Sequence, residues 1–285
     1  MQTEDNILEI ALELAASEPA HRPEFYRLLL ESTIFILGSS GQLTDGDDEG
    51  LVTLKANTPI EVVNWIRPDG SSVIPFFSSL RALQRAITSD EKYLALPART
   101  FFEITRGAEL ILNPRSEFGK EFTSTEVEAL LTEGVNKLAT PMVAEKATEV
   151  LLGQPANYPT AMVASLTTLL GKHRNVRAAY LALMHDTSRD EKPHLMVGIE
   201  CDDEFENVVR EAGTVAADTA PAGEPVDLIR VIRGESGIAQ YFLEKVKPFY
   251  EREGANDVSV DNNLSPKQRP AKGWISRMLS RGKSD

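Results

Sequence analysis

The chain has 285 residues, 30 Lys and Arg against 43 Asp and Glu, a formal net charge of −13, 42% hydrophobic residues and one cysteine. That length predicts about two domains. The acidic balance excludes general nucleic-acid binding, which needs clustered cations, and one cysteine excludes an internal disulfide framework.

No apolar run approaches the roughly 20 residues that span a bilayer. The opening MQTEDNILEI is acidic and lacks the basic region of a secretory signal. Both point to a cytoplasmic protein. The charge is unevenly placed: residues 266–285 carry six basic side chains against Asp285, a net +5, which leaves −18 on residues 1–265.

In chain order, Asn6 to Ala16 reads as an amphipathic helix. Ile7, Ile10 and Leu14 share a face that Leu8, Ala11 and Leu12 widen. PEFYRLLLESTIFILGSS passes from helical spacing to a strand at Thr33 to Leu37. The acidic loop Asp45 to Glu49 lacks the ligand alternation and closing Glu of a calcium loop and reads as solvated. Leu51 to Leu54 and Ile60 to Ile66 read as strands, Arg67-Pro-Asp-Gly70 as a turn, and Val73 to Phe77 as the return strand. Ser78 suits the cap of the helix LRALQRAI. Ala98 to Arg106 is a further helix and Leu110 to Leu112 a strand. Thr123 and Glu126 fit a capping box.

The second half is denser in signals. VAEKATEVLLG offers one more strand at the join. Pro159 suits a first helical position for a helix to Leu170, stopped by Gly171. Val176 to Met184 and Leu195 to Ile199 read as a hairpin with a long charged loop. Asp202 or Asp203 suits the cap of a helix from Glu204 to about Ala217. Val226 to Ile232 is a third strand. Gly234 and Gly237 lead to a helix from Ile238 to Val246. The order α-β-β-α-β-α makes a compact unit of roughly 95 residues, enough for its own core. The expected architecture is α+β, with two α+β domains in tandem (1–136 and 137–253) and a flexible tail (254–285).

The ordered phrases SLTTLL, VRAAYLALM, LMVGIE, AGTVAADTAP, EPVDLIRV, GESGIAQYF and PFYER resemble the C-terminal domain of the bacterial enhanced serine sensitivity (SseB) family. IRPDGSSVIPFFSS, LRALQRAI and ILNPRSEFGKEFTSTEVEALL resemble its N-terminal domain. The resemblance covers roughly residues 1–253. It implies a soluble two-domain protein linked to serine tolerance, with no particular reaction or cofactor. A rhodanese-like label used for the family makes Cys201 the residue to weigh for sulfurtransferase chemistry.

Cys201 sits at a strand end before a helix, a position that lowers a thiol pKa. Asp202, Asp203 and Glu204 follow at once and oppose a thiolate, and GIECDDEFE supplies no Gly and Arg loop after the cysteine to hold a persulfide. A buried structural cysteine is the favoured reading. His185 and His194, with Asp186 or Asp190, match no zinc spacing, so no metal is expected. Gly234 and Gly237 offer a helix N-terminus to an anion without a phosphate-loop Lys. The tail carries KGWISRMLSRGK. On a helix, Trp274, Ile275, Met278 and Leu279 share one face, with Arg277 and Arg281 on the other. This short basic amphipathic segment suits docking on a protein partner or on the anionic inner face of the membrane. The expected function is therefore a non-enzymatic cytoplasmic binding or regulatory protein. A sulfurtransferase using Cys201, and a peripheral membrane adaptor docked by its tail, are the alternatives.

Overall fold

The computed structural model describes residues 6–40, 59–135, 150–187, 192–221 and 224–252. The chain divides into units 1–252 and 253–285, and every described residue lies in the first. The acidic loop at Asp45 to Glu49, the strand expected at Leu51 to Leu54 and the tail residues Trp274, Ile275, Arg277, Met278, Leu279 and Arg281 lie outside the described residues.

Helix α1 (Ile7–Ser17) is capped by Asn6, whose side chain accepts from the Leu8 N–H. Its buried face is Leu8, Ala11, Leu12 and Ala15, whereas Ile7 is 69% exposed and Ile10 and Leu14 more than 40%. The expected face is thus rotated: the widening residues pack, and the stripe first read as core faces solvent. Both stripes have helical spacing, so periodicity alone could not choose between them. A 3₁₀ turn (Pro19–His21) leads into α2 (Arg22–Glu31), with Pro23 in its first turn.

The N-terminal sheet follows. Strand β1 (Thr33–Ser40) is its backbone; β2 (Ile60–Val62), β3 (Trp65–Ile66) and β4 (Ser72–Phe77) flank the Arg67–Gly70 turn. Helix α3 (Leu80–Ala86) is capped by Ser79, not Ser78; the Ser79 hydroxyl accepts from the Ala82 N–H. Ser78 instead donates to Glu9 and accepts from Asn113. Then come β5 (Tyr93–Pro97), α4 (Ala98–Ile104), β6 (Leu110–Leu112), β7 (Lys120–Phe122) and α5 (Ser124–Glu133). The Thr123–Glu126 capping box forms. Sheet order is β2-β1-β4-β6-β7, with β3 on β4 and β5 on β1; the β4–β6 pair is parallel. Under it lies an aromatic core in which Phe76, Phe101, Phe102 and Phe122 are all fully buried.

The C-terminal half has β8 (Leu151–Gly153), α6 (Thr160–Leu170), β9 (Val176–His185), β10 (His194–Cys201), α7 (Phe205–Thr219), β11 (Val226–Arg230), α8 (Ile238–Lys245) and β12 (Tyr250–Glu251). Pro159 is the residue before α6, not its first. β9 and β10 form the expected antiparallel hairpin. Sheet order is β11-β10-β9-β12, with β8 on β9 and β11 parallel to β10. Alternation along β9 and β10 separates two cores. Ala179, Leu181, Val197 and Ile199 pack with α6 and α7, while Ala178, Tyr180, Ala182 and Met196 pack with α8. Gly198 lets α8 approach: a Cβ there would stand 2.7 Å from Val231 Cγ2 and 2.9 Å from the Phe242 ring.

α7 does not start as expected. Neither Asp202 nor Asp203 caps it; Glu204 occupies the cap position with φ of 50° and makes no side-chain capping bond. Asp202 is drawn away by Arg177, whose Nε donates to it at 2.6 Å. Among the described residues no helix is long and apolar enough to cross a membrane.

Candidate functional site

Two places bear on function: the joint between the halves, and the surroundings of Cys201. The joint begins with the 3₁₀ turn. Ala20, from the N-terminal half, is 1% exposed and sits in the C-terminal core with Met162, Leu166, Val208 and Ala212. Polar contacts clasp it. Lys172 Nζ donates to the Ala20 carbonyl at 2.9 Å, and Arg22 pairs with Asp218 of α7. Burial pushes the Lys172 ammonium below its usual range, with Glu24, Glu18 and Glu211 opposing that shift. Burial likewise raises the Tyr26 phenol, reinforced by Glu126 and Asp218.

Beside the clasp is a cavity of about 280 Å³ walled by both halves. Pro23, Leu30 and Val135 supply apolar surface, and Arg27, Arg99, Arg210, Glu31, Glu133 and Glu211 supply charge. Two of the arginines finish a helix. Arg99 donates to the Leu131 carbonyl at 3.2 Å and Arg210 to the Glu133 carbonyl at 3.1 Å. These carbonyls close α5, where the last turn has no intrahelical donors and the dipole favours cations. Gly134 ends the helix at φ of 71°. Arg27 is held by Glu24 and Glu31, both at 2.9 Å, and Glu211 lies 3.0 Å from His173. The cavity is therefore a cleft of paired charges around apolar walls, and its shape depends on how the halves meet.

Cys201 ends β10 and is 7% exposed. Its Sγ–H donates to the Asp203 carbonyl at 2.8 Å. Burial pushes the thiol pKa up, and the Asp203 and Asp202 carboxylates add to that; a backbone hydrogen bond of Asp203 and the Arg230 charge act in the opposite sense. A thiol held protonated is a poor nucleophile. Alkylation by iodoacetamide should therefore be slow in the folded protein at mildly alkaline pH and rise many-fold on unfolding. Equal rates in the two states would contradict this geometry.

Next to it on the opposite sheet face, Glu200 is buried and takes donors from Arg233 and, at 3.4 Å, from the Tyr180 hydroxyl. Burial, then Glu200, pushes Tyr180 up to about 12. This carboxylate is satisfied by its own neighbours. His194 faces Asp227 at 2.8 Å, and among the described residues no group of three His, Cys, Asp or Glu side chains converges as a metal site.

Comparison with known proteins now adds the decisive observation. Family models match both halves in order: the SseB protein N-terminal domain over residues 8–129 and the SseB protein C-terminal domain over residues 144–252. Protein SseB of Escherichia coli (strain K12) is 39% identical over 252 residues, which is 88% of this chain and 94% of that protein. Protein SseB of Shigella flexneri matches to the same extent.

The chain belongs to the SseB family.

No solved structure matches it. The SseB domains meet at the joint described above: Ala20 and Arg22 come from the first match and Lys172 and Asp218 from the second. Sequence reading of this SseB chain missed the cleft arginines. Arg99 and Arg210 act on backbone carbonyls of α5, partners that leave no mark in side-chain spacing. The one available signal was Gly134 after VEALL, which announces a helix end in need of donors.

Proposed function

We propose that this SseB-family chain is a non-enzymatic cytoplasmic binding or regulatory protein, tied to serine tolerance and amino-acid stress. It acts through protein or ligand binding. The two-domain body carries the recognition cleft, and the tail segment with Trp274, Ile275, Arg277, Met278, Leu279 and Arg281 adds a docking element for a protein partner or an anionic membrane surface.

The observation that supports this reading most is the cleft itself. Its charged groups come from both domains and are already held by protein partners, with apolar surface between them. That is a surface suited to recognition, in which a bound partner reads the relative position of the domains. The Cys201 thiol, held as a hydrogen-bond donor, argues against the sulfurtransferase alternative.

A growth test separates these ideas. A host strain lacking its own family protein is challenged with excess serine and supplied with the wild type, Cys201→Ser, Arg99→Glu/Arg210→Glu, or a chain ending at Glu253. Rescue by Cys201→Ser and failure of the arginine variant are expected. Loss of rescue in Cys201→Ser, with the protein folded, would overturn the non-enzymatic reading. For the tail, Trp274→Ala/Met278→Ala should reduce co-sedimentation of the full chain with anionic vesicles if the membrane is its target; unchanged binding counts against that role.

A further inference from the structure

β11 is the outer strand of the C-terminal sheet. It runs parallel to β10 from Leu195↔Val226 to Ile199↔Arg230, and no described strand lies on its far side. Of the other described strands paired on one side only, β2, β3, β7, β8 and β12 are two or three residues long; β5, which ends in Pro97, has five, as β11 does. Its apolar residues Val226, Leu228 and Ile229 are half-buried.

The direction of its backbone groups can be read from one bond. The Val231 N–H donates to the Ile199 carbonyl at 2.9 Å. N–H and C=O of one residue point to the same side of a strand, and successive residues alternate. Val231, Ile229 and Asp227 are therefore turned toward β10, and Val226, Leu228 and Arg230 turn their backbone groups outward. No described residue bonds to those outward groups. An edge of this kind is a template for another strand.

We propose that β11 is the interface of a two-fold dimer, in which it pairs antiparallel with β11 of a second copy and joins the two C-terminal sheets into one. This goes beyond the binding reading above and does not depend on it. A two-fold axis normal to the sheet keeps each side chain on its own face, so the register centres on one residue. Centred on Leu228, all outward groups meet in hydrogen-bonded pairs: Leu228 with the partner subunit's Leu228, and Val226 with the partner subunit's Arg230. Apolar then meets apolar at the centre.

Charge favours the same register. Glu224 is exposed and lies two residues before Val226; carried back two residues, the alternation of β11 puts it on the face of Val226. It is thus diagonal to the partner subunit's Arg230, within reach of long side chains. The contact occurs twice by symmetry. Arg230 is held in place on this face: it stacks over Phe205 at 5.6 Å and donates to the Cys201 and Asp202 carbonyls at the end of β10. α7 lies over β11, with Gly213 opposite Leu228 at 3.7 Å for an added Cβ. Val209 and Ala217, one turn to either side, are half-buried and exposed. The operation brings α7 of each copy together along these small residues, which enlarges the interface beyond one strand pair.

The test is sedimentation equilibrium of the full chain across a range of concentrations. The wild type should be a dimer. Glu224→Arg should weaken it by roughly tenfold, because like charges replace opposite ones at both diagonals. Glu224→Arg/Arg230→Glu should restore it. Since the double variant also loses the Arg230 carbonyl bonds, hydrogen exchange supplies a second readout: Leu228 and Arg230 amides should be slowed in the wild-type dimer and fast in Glu224→Arg. A wild type that stays monomeric, or a dimer indifferent to Glu224→Arg with those amides fast, overturns the proposal.

Discussion

Phe76→Ala should lower the unfolding free energy by about 3–5 kcal/mol, the usual cost of removing a fully buried aromatic ring. Phe76 has no exposed surface and stands at the centre of the aromatic core, 5.1 Å from the Phe101 ring centroid and 5.8 Å from those of Phe102 and Phe122. Its neighbours come from α4 and β7, so the core cannot close over the gap by moving one side chain. Pairs of this geometry add to the burial term. Urea unfolding monitored by far-ultraviolet circular dichroism gives the number. Tyr93→Ala, at a side chain 47% exposed, is the control and should cost less than about 1 kcal/mol. A Phe76→Ala loss no larger than that of the control would show that the ring is not the keystone of the N-terminal domain.

Ala20→Glu should cost several kcal/mol and, more tellingly, uncouple the domains. It drives a carboxylate into an apolar core that has no cation to receive it. The cations at the joint are taken: Lys172 serves the Ala20 carbonyl and Arg22 pairs with Asp218. Each SseB domain retains its own sheet and core, so the expected result is two thermal transitions in place of one, seen by calorimetry. The recognition role proposed for the cleft requires both walls, so on that proposal tolerance of serine by the host strain should fall with it. A single transition at an unchanged temperature would mean that the turn is not what joins the domains. Ala20→Gly, which empties the site without charging it, should give a smaller shift in the same direction.

Much of the secondary structure was legible because local signals and tertiary demands agree. The Thr123–Glu126 box, the Gly171 stop and the β9–β10 hairpin each rest on residues whose local preference is also what packing requires. The failures share a cause too. On α1 two apolar stripes compete, and the packing of α2 and the 3₁₀ turn against the helix decides which is buried. β5 was missed because YLALP is short and ends in Pro, yet its pairing with β1 along Thr33–Leu37 fixes it. At α7, Asp202 is taken by Arg177, a residue distant in sequence, and the cap passes to Glu204. The cleft was the least legible feature. It is made by backbone carbonyls of α5 and side chains drawn from both domains, and no window of sequence contains them all.

The seat of Ala20 also imposes an order on synthesis. The turn at Pro19–His21 leaves the ribosome early, but the core that receives it includes Val208, Ala212 and Ala216. At about 5–20 residues per second the wait is on the order of 10–40 s. Throughout that interval the nascent N-terminal domain presents a knob with no socket. The acidic side chains around the turn, Glu18 and Glu24, keep that exposed surface hydrated until the second domain arrives.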